Sequence, residues 1–313
     1  MSDTPPGWER TLLEKIALDG LAEQKAKRRW GIFFKLLGFT YVGVMLAMFL
    51  GLGDGEKTSD GKRHTALVQL NGVIQAKGEA SADNVIDALQ SAFADSNTAG
   101  VILKINSPGG SPVQSGIIHD EILRLRAKYP TIHLYVVVED VCASGGYYVA
   151  AAADNIYVDK ASIVGSIGVL MDGFGFTGTM EKLGVERRLL TAGENKGFLD
   201  PFSPQDAKQK AYAKQMLEEI HGQFIDVVRK GRGKRLKETP EMFSGLMWSG
   251  ARGVELGLAD GFGTVESVAR DVIKVANVHD YTTKQNFAER IAKQIGTEMA
   301  TSAAQALSSF SLH

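Results

Sequence analysis

Between about residue 65 and residue 230, short apolar runs alternate with longer segments in which hydrophobic residues recur at helical spacing. Ala66–Leu70 reads as a strand, and Ser81–Ala94 as a helix with Val85, Ile86, Leu89 and Phe93 on one face. Val101–Ile105 predicts a second strand running into Asn-Ser-Pro-Gly-Gly-Ser. Pro112–Ala127 predicts a helix opened by proline. Ile132–Val138 predicts a strand, followed by a loop and a helix over Ala143–Ala153. Strands at Asn155–Val158 and Val185–Leu190 and a long helix from Pro204 to Lys230 complete the pattern. Gly231–Lys237 reads as a basic, solvated connector, and the Ala/Ser-rich stretch Gly296–His313 as a frayed or helical tail. Such alternation implies an α/β domain with a largely parallel sheet.

A different pattern precedes it. Leu36 to Gly53 is a run of 18 residues without a charge. At about 1.5 Å per residue it is about 27 Å of helix, close to the roughly 30 Å of a bilayer core. Extended back over residues 32–53, with Lys35 snorkelling to the interface, it predicts a transmembrane anchor. The leading segment is longer than a signal peptide's basic region, and Gly-Leu-Gly-Asp-Gly offers no A-x-A cleavage pattern, so the anchor is expected to be retained. Lys25, Lys27, Arg28 and Arg29 lie just before it, which puts the N-terminus in the cytoplasm and the domain outside. The organisation expected is a cytoplasmic segment 1–31, an anchor 32–53, a linker 54–64, a domain 65–275 and a C-terminal extension 276–313.

The 35 Lys+Arg and 36 Asp+Glu among 313 residues leave a net charge of −1, against the basic excess of a nucleic-acid binder. A hydrophobic share of 44% excludes global disorder. The single cysteine, Cys142, excludes an intramolecular disulfide and a Cys-rich zinc site. It reads as a small packing residue. Nothing in the chain calls for a metal or nucleotide cofactor.

Two glycine-rich loops follow predicted strand ends, Asn106-Ser107-Pro108-Gly109-Gly110-Ser111 and Cys142-Ala143-Ser144-Gly145-Gly146. Loops at the carboxyl ends of parallel strands converge on one crevice. Neither fits a phosphate-binding fingerprint. Ser144 stands at a predicted helix start, beside free N–H groups that can stabilise an oxyanion; a plain helix N-cap is the alternative. Of six histidines, His133 lies in a strand, and His119 sits in a helix without the local carboxylate arrangement of a triad.

Asn-Ser-Pro-Gly-Gly-Ser, Ala-Ser-Gly-Gly-Tyr-Tyr with Ala-Ala-Ala-Asp, Val-Gly-Ser-Ile-Gly-Val, and Trp-Ser-Gly-Ala-Arg-Gly-Val-Glu-Leu-Gly-Leu-Ala-Asp occur in order. Together they resemble the signal peptide peptidase A family of Ser/Lys-dyad serine peptidases, over about Thr65 to Asp271 and in its short, single-copy form. The resemblance implies a crotonase/Clp-protease-like α/β fold behind an N-terminal transmembrane helix. It implies Ser144 as nucleophile, Lys196 as general base and Ser166 as the residue orienting that lysine. The oxyanion hole would use the N–H groups of Gly110 and Gly145, with Asn106 and Gly109 supporting the first loop.

A lysine acts as a base only when its ammonium is destabilised. From a free pKa of about 10.4 to near 7 is about 4 kcal/mol. Glu194 and Asp200 are therefore expected to point to solvent. The resemblance further implies cleavage of remnant signal peptides and other apolar peptides, in a crevice lined by Val113, Ile117, Val169 and Leu170. It also implies dome-like homo-oligomers that share sites between subunits, on the outer side of a bacterial inner membrane. Two other classes share the architecture: a crotonase-like acyl-CoA enzyme and an inactive membrane scaffold. A serine-directed fluorophosphonate label on Ser144 separates both from a peptidase.

Overall fold

A computed structural model describes residues 8–49 and 61–283. The chain divides into two units, one holding the N-terminal helix and the other a body over Ser59–Lys284. In the first unit, α1 (Trp8–Phe49) is one unbroken helix. Within it Lys27–Leu46 is long and apolar enough to cross a membrane. Helix therefore begins well before the apolar run, through the basic cluster. Residues 50–60, which carry the end of the expected anchor and most of the linker, lie outside the described residues, as does the Gly296–His313 tail.

The body is an eight-stranded sheet flanked by helices. Its strands are β1 (His64–Asn71), β2 (Thr98–Ser107), β3 (Leu134–Ala143), β4 (Asn155–Val158), β5 (Ile163–Gly165), β6 (Met247–Ser249), β7 (Gly261–Phe262) and β8 (Val278–Asp280). The main path runs β6-β5-β3-β2-β1-β8, with β4 and β7 branching from β3. All pairings are parallel except β5 with β6. β3 is the branch point. Its first half (Tyr135–Val137) pairs with β4 and its end (Val141–Ala143) with β5.

The main α-helices of the body are α2 (Ala82–Ala94), α3 (Pro112–Lys128), α4 (Gly145–Ala150), α5 (Thr177–Lys182), α6 (Ala207–Arg232) and α7 (Gly250–Glu255). Ser81 and Ser111 cap α2 and α3 by accepting N–H bonds from Asn84 and Gln114. α2 buries Val85, Leu89, Ala92 and Phe93, and α3 buries Ile118, Ile122 and Leu125. Both helices belong to one apolar cluster with Val68, Leu70, Leu103, Ile105 and Val136 from the central strands.

Several elements differ from the pattern-based reading. β3 continues through Glu139 and Asp140, which read as loop. These charges are met from β2, where Lys104 Nζ lies 3.2 Å from Glu139 and Asn106 Nδ2 donates to Asp140 at 3.0 Å. Val185–Leu190 is not a strand: it lies with most of residues 169–206 in an exposed arm carrying only the short α5. Local β-propensity there has no neighbouring strand to pair with. β8 pairs with β1, so the sheet runs past residue 275, where the pattern ends the domain.

The basic connector is also not simply solvated. Arg232 is 1% exposed and forms a two-pronged pair with Asp260, at 2.9 and 2.8 Å, while its Nε donates to the Gly257 carbonyl. Burial acts to raise the Asp260 carboxyl, but the Arg232 hydrogen bonds and charge outweigh it, and the carboxyl sits below its ordinary value. Removing one partner of a buried pair strands the other charge. Asp260→Ala is expected to lower unfolding stability by about 3–5 kcal/mol at pH 7. A carboxyl lowered in the folded state stabilises above its unfolded pKa of about 3.9 and loses that contribution as pH falls through the folded value. Urea melts of the full chain should therefore show the gap between variant and parent closing below about pH 4.

Candidate active site

The carboxyl ends of β2, β3 and β5 meet at one cavity of about 540 Å³. Gly110, Ser144, Gly145 and Ser166 line it together with Tyr148, Val169, Leu170, Ile220 and Phe224. Ser144 lies directly after β3 and directly before α4, at φ 51° and ψ −123°. This is a left-handed φ for a residue with a side chain, a strain of order 1–3 kcal/mol. It is held because the Ser144 N–H donates to the Gly165 carbonyl at 2.8 Å, across the β3–β5 pairing. The Ser144 side chain makes no capping bond, so the plain N-cap alternative fails and its hydroxyl is free to face the cavity.

The first loop presses against this turn. A Cβ on Gly109, at φ +102°, would lie 2.7 Å from Gly145 N and from Ser144 Cβ. A Cβ on Gly110, at φ +148°, would lie 2.1 Å from the Ile74 carbonyl oxygen. Only glycine accepts both the backbone angle and the approach. The N–H groups of Gly110 and Gly145 have no acceptor among the described residues, and both border the cavity beside Ser144. Two free N–H donors beside a hydroxyl are the parts of an oxyanion hole.

Ser166 also has a positive φ, 49°, and its N–H donates to Leu246 at 2.8 Å, which turns the residue toward the same cavity. Asn106 acts on the strand rather than on the glycines: its amide bonds Asp140 and the Val141 N–H, joining the ends of β2 and β3. Lys196 is not among the residues lining the cavity. It is exposed on the arm and makes no ion pair among the described residues. Glu194 is exposed as expected, but the Asp200 side chain is only 10% exposed. The Ser203 hydroxyl donates to it at 2.6 Å and Arg187 lies 2.8 Å away, which together hold its carboxyl below the usual range.

Val169 and Leu170 line the cavity, but Val113 and Ile117 do not. Pro112 and Ser115, three residues apart, turn to the cavity and leave Val113 and Ile117 on the outer face of α3, 68% and 44% exposed. His119 Nδ1 lies 3.0 Å from Asp120, yet its ring packs edge-on to Tyr148 and does not line the cavity. Cys142 is fully buried, and burial pushes its thiol pKa up, as suits a packing residue. Two contributors went unassigned in the sequence. Ser107 is fully buried and holds the first loop, and the His221 Nε2 donates to the Ile167 carbonyl at 3.1 Å beside Ser166. Only the serine, inside a glycine motif, carried a local signal.

The family model for peptidase family S49 matches residues 126–279, a span that includes Ser144, Ser166 and Lys196. A putative signal peptide peptidase SppA of Enterococcus faecium is 30% identical over 237 residues, 72% of this chain and 68% of that protein. A putative protease of Methanocaldococcus jannaschii is 36% identical over 195 residues, 62% of this chain and 61% of its own length. A protein of Brucella melitensis named Na(+)/H(+) antiporter NhaA is 45% identical over 209 residues, 65% of this chain, and the chain spans only 28% of that protein's length.

The contact between the two glycine loops can be tested by crowding it. Gly109→Ala should slow fluorophosphonate labelling of Ser144 by about 100-fold or more, since misplacing one oxyanion donor costs on that order. An unchanged rate would show that the loops need no such closeness.

Proposed function

The chain belongs to the signal peptide peptidase A family, peptidase family S49, and on that footing we propose that it is a serine endopeptidase with Ser144 as nucleophile and Lys196 as general base. The observation that carries the reading is the strained Ser144 turn, set beside two N–H donors that have no acceptor among the described residues. In the proposed reaction the neutral Lys196 amine takes the Ser144 proton as Oγ bonds to the peptide carbonyl carbon. The oxygen that becomes negative rests on the Gly110 and Gly145 N–H groups. Lys196 then passes the proton to the departing amine as the C–N bond breaks, leaving an acyl-serine. Water attacks the ester, its proton going to Lys196 and from there to the released Ser144 Oγ. Ser166 is the residue proposed to orient the lysine.

The proposed site is shared between copies of the chain, with Lys196 reaching the cavity of a neighbour. Supporting this, the arm that carries Lys196 leaves Leu170, Phe174, Leu183 and Leu190 between 73% and 95% exposed. Large apolar side chains left in solvent are surface that a second copy of the chain can cover. The proposed substrates are apolar peptides, remnant signal peptides among them, in keeping with Val169, Leu170, Ile220 and Phe224 around Ser144. α1 is proposed as a retained anchor in a bacterial inner membrane, with the body on the extracytoplasmic side.

Ser144→Ala and Lys196→Ala are each expected to abolish cleavage of an apolar peptide by the full chain without unfolding it. Co-expressing the two inactive variants should restore part of the activity, because mixed assemblies contain some sites with both groups. Full activity in either variant, or no serine label on the parent chain, would overturn the dyad. Assemblies that form but stay inactive when mixed would overturn the sharing. Protease added to intact spheroplasts should digest the body; a shielded body would reverse the orientation.

A further inference from the structure

The Gly110 N–H can serve as an oxyanion donor only while its peptide plane faces Ser144, and glycine on both sides makes that plane easy to turn. Two bonds fix it. The Gly109 carbonyl accepts from the Ile74 N–H at 2.8 Å. Because a trans peptide is planar with C=O and N–H opposed, this bond sends the Gly110 N–H away from Ile74. That is the side on which a Cβ built on Gly145 would come within 3.3 Å of Gly110 N. On the other side of Gly109, its own N–H donates to Ser107 Oγ at 3.1 Å.

Ser107 is the one side chain in this clamp. Its hydroxyl donates to the Gly72 carbonyl at 2.6 Å while accepting from Gly109, so both roles of the oxygen are in use, and the residue is fully buried. Gly72 follows β1, and Gly109 follows β2. The hydroxyl therefore ties the segment leading to Ile74 to the loop that Ile74 orients. We propose that Ser107 is a positioning residue for the oxyanion hole: it touches no substrate, and acts by holding the Gly109–Gly110 peptide with its N–H aimed at Ser144.

The proposal rests on the peptidase reading and deepens it. An aiming role predicts a specific kinetic pattern, since the hole binds the transition state and not the ground state. In the full chain, Ser107→Ala is expected to lower kcat by about 10–100-fold, less than the 10²–10³-fold of deleting a donor outright, with KM within about threefold. Affinity for an apolar peptide aldehyde, whose serine adduct places an oxyanion in the hole, should fall by the same factor as kcat. Ser107→Thr, which keeps the hydroxyl, should recover most of both. Unchanged kcat, or a loss of kcat with undiminished aldehyde affinity, overturns the proposal. If the alanine variant does not fold, Ser107→Cys is read the same way: a lowered kcat at constant KM supports the role and an unchanged kcat refutes it. Absence of Ser144-dependent cleavage in the parent chain would overturn the peptidase reading, and this inference with it.

Discussion

The site depends on one steric fact: two backbone turns from different strands lie so close that no side chain fits between them. Gly109 lies against the Ala143–Gly145 backbone and Gly110 against Ile74. Such an approach needs β2 and β3 to stay adjacent to their ends: the register shifts after the Ile105–Val138 pair, and Ser107 is then paired with Cys142. The strained Ser144 backbone persists because β5, which takes over from β4 along the last part of β3, supplies the Gly165 carbonyl at its end. A branch in the sheet thus becomes a turn that presents a hydroxyl.

Below this turn, polar contacts join α4 to stretches distant in the chain. The Tyr147 hydroxyl donates to the Leu258 carbonyl and fixes α4 to the segment after α7. Asp260, at the end of that segment, holds Arg232 at the end of α6 and also accepts the Ile156 N–H from β4. Three distant stretches of chain therefore brace the helix that follows Ser144. The arm over residues 169–206 has no such bracing from the sheet, and its large apolar side chains face outward. Covering such apolar side chains is favourable, because it removes their surface from water.

The alternating pattern made the central strands and α2, α3 and α6 legible, because burial on one face imposes a period on the sequence. It failed where pairing or polar contacts overrode local character. Glu139 and Asp140 looked like loop because their partners, Lys104 and Asn106, lie on another strand. Arg232 looked solvated because Asp260 is 28 residues away. Val185–Leu190 looked like a strand because propensity does not reveal whether an edge is available.

By itself, the sequence determined the two glycine loops and, through its resemblance to a known family, the membership of the chain and Ser144, Lys196, Ser166, Gly110 and Gly145 as candidates. Glycine and serine at fixed spacing record close backbone approach and a special φ, both local requirements that leave a local trace. Tertiary structure alone decided which N–H groups stay free, that Ser107 holds the first loop and Asn106 the strand ends, and that Val113 and Ile117 turn away from the cavity. It also decided that Lys196 stands outside the cavity of its own chain. Those outcomes depend on which strands become neighbours and which helix face is covered, and distance in space is not written in distance along the chain.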